Sequence, residues 1–133
     1  MRQLQHHLPF SCLVIILGLF PTQLMAGGMG YRSDLNIPIV LQGTSEIRGL
    51  PYRGPRLLIR PNRAAYDPNV PPGIRLIVII DANQPNRILF RQRVSFAGQN
   101  IFYRIRANPR PRPGNEIILV PIQPPVQGTS GLN

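Results

Sequence analysis

The chain has 133 residues and a formal charge of +10, and all fifteen of its basic residues are arginine. Sixteen prolines exclude long helices, because each removes a backbone donor. A single cysteine, Cys12, excludes an intrachain disulfide.

The first 26 residues read as a removable export signal. A short basic start, Met1-Arg2, precedes an apolar run from Leu8 to Phe20. Pro21 then breaks the run, and small residues begin at Ala26-Gly27-Gly28. That order is the layout of a secretory leader, and the run falls short of the ~20 apolar residues a membrane span needs. Cleavage after Ala26 would remove Cys12, His6, His7 and Arg2. The remaining residues, 27–133, have no Cys, His, Lys or Trp and carry fourteen arginines against Asp34, Glu46, Asp67, Asp81 and Glu116. Export without cysteines, and without an Asn-x-Ser/Thr acceptor, predicts the periplasm or the periplasmic face of an outer membrane. The charge fits either plain solubility or an acidic partner.

Residues 27–36, rich in glycine, are expected to be a flexible N-terminal segment. Residues 37–122 then show short β-branched or aromatic runs bounded by Pro, Gly and Asn, with no sustained helical period. The predicted strands are Ile37–Leu41, Arg56–Arg60, Ile74–Ile80, Ile88–Phe96, Ile101–Arg106 and Glu116–Ile122, with a weaker one at Ser45–Leu50. Asp67-Pro68-Asn69, Pro71-Pro72-Gly73, the stretch 81–86 and the stretch 109–114 read as turns. Ile74–Ile80, apolar on both faces after Arg75, predicts a central, covered strand. Six or seven short antiparallel strands predict a single small all-β sandwich. Residues 123–133 are expected to be a flexible tail.

Alternation predicts a basic face. In residues 87–96 it sets Ile88, Phe90, Val94 and Phe96 against Arg87, Leu89, Arg91, Arg93 and Ser95. In residues 101–106 it sets Ile101, Tyr103 and Ile105 against Phe102, Arg104 and Arg106. A hairpin through Ala97-Gly98-Gln99-Asn100, pairing Phe96 with Ile101, keeps both apolar sets on one side. It also gathers Arg91, Arg93, Arg104 and Arg106 into a quartet beside Phe102. The bland interpretation is a solvated face whose arginine stems cover apolar surface. The functional one is a partner-binding site for carboxylates or phosphates, which guanidinium groups hold in bidentate fashion. A second basic stretch, Arg53, Arg56, Arg60 and Arg63, reads as loop solubility.

The residues offer little for catalysis. Ser33, Ser45, Ser95 and Ser130 have no His or Lys in residues 27–133 to act as base. Zinc sites of the Cys/His type are excluded there, and the five acids are scattered. No phosphate-cradling glycine loop and no RNA-binding signature occurs, although Arg and Tyr interleave in Tyr103-Arg104-Ile105-Arg106. The expectation is a non-enzymatic binding protein without cofactor, metal, nucleic acid or small-molecule substrate.

Five motifs occur in order: Val70-Pro71-Pro72-Gly73 leading into an apolar strand, Arg91-Gln92-Arg93-Val94, Ala97-Gly98-Gln99, Phe102-Tyr103-Arg104-Ile105 and Arg112-Pro113-Gly114. In that order the chain resembles the pilotins, small exported chaperones of type III secretion secretins, over about Asn69–Ile122. The resemblance implies a periplasmic β-sandwich that binds the C-terminal segment of an outer-membrane secretin subunit and assists its delivery and assembly. The chain departs from that pattern in having no cysteine after the leader for lipidation. Two other functions fit the composition: a cationic binder of polyanions such as lipopolysaccharide or an anionic outer-membrane surface, and an inhibitor of exported amyloid subunits.

Overall fold

The structure, a computed structural model, describes residues 27–123. The expected leader and the sequence after Gln123 lie outside the described residues. The protein is all-β. Its strands are β1 (Gly27–Ser33), β2 (Ile39–Ile47), β3 (Leu50–Ile59), β4 (Ala64–Val70), β5 (Gly73–Asp81), β6 (Ile88–Phe96), β7 (Ile101–Arg112) and β8 (Asn115–Ile122). They form one sheet in the order β3-β2-β5-β6-β8-β7-β1-β4, curled into a nearly closed barrel. This corrects the expectation of a sandwich with six or seven strands. The curl is not uniform. β6 and β8 share a single paired position, Phe90 with Asn115, so the sheet divides into two four-stranded halves hinged at that joint.

Alternation explains which residues face inward. On β5, Arg75, Ile77, Ile79 and Asp81 are buried while Leu76, Val78 and Ile80 are half-exposed. The expected central position holds, since β5 is laddered to β2 and β6 along its length. Cover on both faces does not hold, because among the described residues no element packs over the outside of the barrel. Ile39, Leu41, Ile59, Ile77, Ile79, Phe90 and Phe96 fill the core from one half. Met29, Tyr31, Val70, Tyr103, Ile105 and Ile117 fill it from the other. Burial of each such aliphatic or aromatic side chain contributes roughly 1.5–3 kcal/mol.

The segment expected to be a flexible start is instead β1, an interior strand of the sheet. It runs antiparallel to β4 and parallel to β7. Met29, Tyr31 and Ser33 point into the core. Gly28 and Gly30 face outward, and the rings of Tyr66 and Phe102 occupy the space where their side chains would stand. Asp67-Pro68-Asn69, expected to be a turn, lies instead within β4. Pro68 is tolerated because β4 ends the sheet and has a free edge. The proline-rich stretch 109–114 shrinks to a tight turn at Pro113-Gly114, with Gly114 at φ 78°.

The predicted hairpin between β6 and β7 does not form. The turn at Gly114 gives β7 an immediate antiparallel partner in β8, and β1 takes its other edge. Residues 97–100 therefore carry the chain from one half of the sheet to the other. Within β6 a register shift near Leu89 turns Leu89 inward, 2 % exposed, and leaves Ile88 outside. This reverses the expected faces of those two residues.

The terminal strands β3 and β4 approach each other without a ladder. Across the interior behind them runs a buried ion pair. Arg75 on β5, 1 % exposed, donates from Nη2 to Asp67 Oδ2 on β4 at 2.7 Å and from Nη1 to Ser45 Oγ on β2 at 2.8 Å. Gly43 and Gly54 leave room for the guanidinium, because a Cβ at either would collide with it. Arg75 Nε has no partner among the described residues. Tyr31 is held beside this pair. Burial, the largest influence, pushes its hydroxyl pKa far up, and the nearby Arg75 charge opposes the shift only in part. Burial also raises that of Tyr103, which stacks on Tyr31 at 6.0 Å.

Candidate functional site

The five residues expected to bind a partner divide between two outer faces. Arg91 and Arg93 lie on β6. Phe102, Arg104 and Arg106 lie on β7, with β8 between the two strands. The expected quartet is therefore absent, although each residue does face outward as its alternation requires.

The first face is the outside of β3-β2-β5-β6. Register places its residues in transverse rows. One row runs Arg56, Gln42, Val78, Arg91, and the next runs Arg53, Thr44, Leu76, Arg93. Each row thus has arginines at both ends and an apolar β5 side chain within it. At inter-strand spacings of about 4.8 Å, the two ends of a row stand roughly 14 Å apart at their Cα atoms. Above and below, the face continues through Ile74, 58 % exposed, and through Leu58, 56 % exposed. A hollow of about 310 Å³ opens beside Ile74, Leu76 and Arg93, with Glu46 and Pro51 on its rim. Among the described residues, none of Arg53, Arg56, Arg91 and Arg93 has a carboxylate within salt-bridge distance.

An arginine quartet is thus present with different membership. Arg53 and Arg56, whose basic stretch reads from sequence as loop solubility although Arg56 opens a predicted strand, complete it from β3. The signal for them was the exposed alternation of Arg53, Arg56 and Leu58. A β-bulge opposite Gly43 disguised it by shifting the period within Gly54-Pro55.

The second face is the outside of β8-β7-β1-β4. Arg104 pairs with Asp34 at 2.8 Å, and Arg106 pairs with the same carboxylate oxygen at 3.4 Å. Asp34 follows β1 and reaches both because β1 and β7 run parallel. Phe102 lies over Gly30, nearly parallel to Tyr66 with ring centroids 6.0 Å apart. Asn100 Oδ1 anchors this end by accepting from Gly28 N at 2.8 Å and from the Tyr66 hydroxyl at 3.0 Å. A groove of about 750 Å³ runs along these rings, walled by Ala64, Arg32 and Ile122.

The sheet edges are poor acceptors of an added strand. β3 carries Pro51 and Pro55 and β4 carries Pro68, each lacking a donor. Prolines and charges on terminal strands block edge-to-edge pairing. A partner has outer faces available to it more readily than edges.

No family model matches this sequence, and no curated protein matches it.

Proposed function

We propose that this is a non-enzymatic exported protein that binds a segment of another protein on the outer face of β3-β2-β5-β6. The observation that carries the reading is the set of rows in which Leu76 and Val78 lie between Arg53 and Arg56 on one side and Arg91 and Arg93 on the other. A segment alternating apolar and acidic residues would bury its apolar side chains on β5 and offer carboxylates to guanidinium groups on both flanks. The partner that the pilotin resemblance implies is the C-terminal segment of an outer-membrane secretin subunit. The role would be to shield that segment and help deliver it for ring assembly at the periplasmic face of the outer membrane.

Calorimetric titration with a synthetic peptide of that segment tests the reading, with lipopolysaccharide as the contrasting probe. Saturable peptide binding with modest salt sensitivity, lost in Arg91→Glu/Arg93→Glu, is the expected result. Binding only to lipopolysaccharide, falling steeply with salt and indifferent to peptide sequence, would replace this reading with polyanion binding.

A further inference from the structure

The hairpin joining β2 to β3 ends in a tip that concentrates exposed apolar surface. Among the described residues, eight large apolar side chains stand exposed, and four of them, Ile47, Leu50, Tyr52 and Ile74, lie at or beside this tip. Leu50, 70 % exposed, is the most open of the eight. Register explains the exposure. Ser45 pairs with Tyr52 and Ile47 with Leu50, and Ser45 points into the barrel. Ile47, Leu50 and Tyr52 therefore continue the inward face. Ser45 also stands opposite Arg75, and two positions before Arg75 comes Gly73, which has no side chain to cover Ile47. The inward face thus runs past the end of the core into solvent.

The turn supplies an independent observation. Arg48 and Gly49 both have positive φ, 51° and 77°, in a two-residue turn whose favoured sequence is Asn-Gly. Arginine is an unfavourable choice for the left-handed region, and strain of this kind points to function. Neither Arg48 nor Arg53 has a carboxylate within salt-bridge distance among the described residues. Glu46 is the one acid in residues 45–53.

A convex tip of a few side chains cannot supply the roughly 800 Å² that each partner contributes to a stable protein interface. A bilayer asks for less. It takes a few apolar side chains below the headgroups, a tyrosine at the interface and guanidinium groups that reach back to lipid phosphates. Strand pairing as far as Ile47 and Leu50 limits the unpaired backbone groups that would enter with them.

We infer that the β2–β3 tip is a docking site for an anionic membrane surface. Ile47 and Leu50 enter among the acyl chains, Tyr52 lies at the interface, and Arg48 and Arg53 contact headgroup phosphates. Apolar insertion and charge are each weak alone and together give reversible attachment. The inference stands apart from the peptide reading, which is tested at Arg91 and Arg93.

The test uses the whole protein with Tyr52→Trp, which gives a chain without tryptophan a single reporter at the tip. Mixed phosphatidylglycerol–phosphatidylcholine vesicles should shift its fluorescence to the blue, and brominated lipid should quench it. Leu50→Asp should weaken the response about tenfold and Arg48→Asn about fivefold. Asparagine suits the left-handed turn, so Arg48→Asn should hold or raise the melting temperature while binding falls; a purely structural Arg48 would not separate the two. Leu58→Asp, equally apolar and exposed but away from the tip, should change nothing. Absence of the blue shift, an equal response to pure phosphatidylcholine, or a response unchanged by Leu50→Asp and Arg48→Asn would overturn the inference. A blue shift that grows with protein concentration in the absence of vesicles would also overturn it, assigning the tip to a second copy.

Discussion

Arg91 and Arg93 on β6 and Arg104 and Arg106 on β7 arise from the same sequence device, arginine at alternate positions of a strand. Their situations differ. On β7, parallel pairing with β1 brings Asp34 to both guanidinium groups, so half of that charge is neutralised within the molecule. On β6, the neighbouring strand is β5, whose outer positions are Leu76 and Val78, and along the same two rows the next charges are again arginines. Local arginine density therefore does not locate a binding surface. What sets the proposed surface apart is that Arg53, Arg56, Arg91 and Arg93 have no carboxylate within salt-bridge distance among the described residues, although Glu46 stands at its rim, and only topology decides that.

The contrast can be broken most severely from inside. Asp67→Ala leaves the Arg75 guanidinium buried and unpaired beside the gap between β3 and β4. A loss of about 3–5 kcal/mol is expected in chemical denaturation. Replacing the pair together, as Arg75→Leu/Asp67→Leu, should recover much of it, since apolar replacements of a buried ion pair are often neutral. Equal losses in the single and double variants would show that the unpaired buried charge is not what costs the stability.

On the two faces, Arg91→Glu/Arg93→Glu should weaken peptide binding about 100-fold, close to 2.7 kcal/mol. Arg104→Glu/Arg106→Glu should change it less than about threefold, with thermal stability affected only slightly. Comparable losses from both pairs would mean that the partner wraps the barrel and the comparison fails.

Glycines sharpen the contrast at intermediate scale. Gly30→Ala must displace the Phe102 ring and should cost about 1–3 kcal/mol by overpacking. Gly49→Ala meets nothing within 4 Å, but its φ of 77° strains an alanine and should cost less. Thermal melts of the two variants rank them.

Alkaline titration gives a further readout. The folded-state pKa values of Tyr31 and Tyr103 are raised above the ordinary value near 10. For a group that stays neutral when folded, the unfolded chain releases its proton first. Their contribution is therefore complete below about pH 10 and lost as pH rises beyond it. Phenolate absorbance from these two residues should appear together with loss of structure by circular dichroism.

The smallest effect tests the neutralised face directly. Asp34→Asn frees Arg104 and Arg106, which are both half-exposed, and should cost no more than about 1 kcal/mol. It should also strengthen lipopolysaccharide binding in low salt, measured by the same calorimetry.

Composition and alternation by themselves determined that this chain is all-β. They also determined that Ile74–Ile80 is a central strand and that Phe102, Arg104 and Arg106 share one face of theirs. These properties were legible because a strand's two-residue period is written locally. The pairing of strands was not legible, because it depends on contacts distant in sequence. β7 took β8 through the turn at Gly114 and took β1 alongside, where local reasoning joined it to β6. The same dependence hid β1, whose glycines resemble a tail until Tyr66 and Phe102 arrive from other strands to cover them. It also hid the inward turn of Arg75, whose burial no local pattern signals. Asp67, Ser45, Gly43 and Gly54 must converge from three strands before burying it becomes tolerable, and only the closed sheet brings them together.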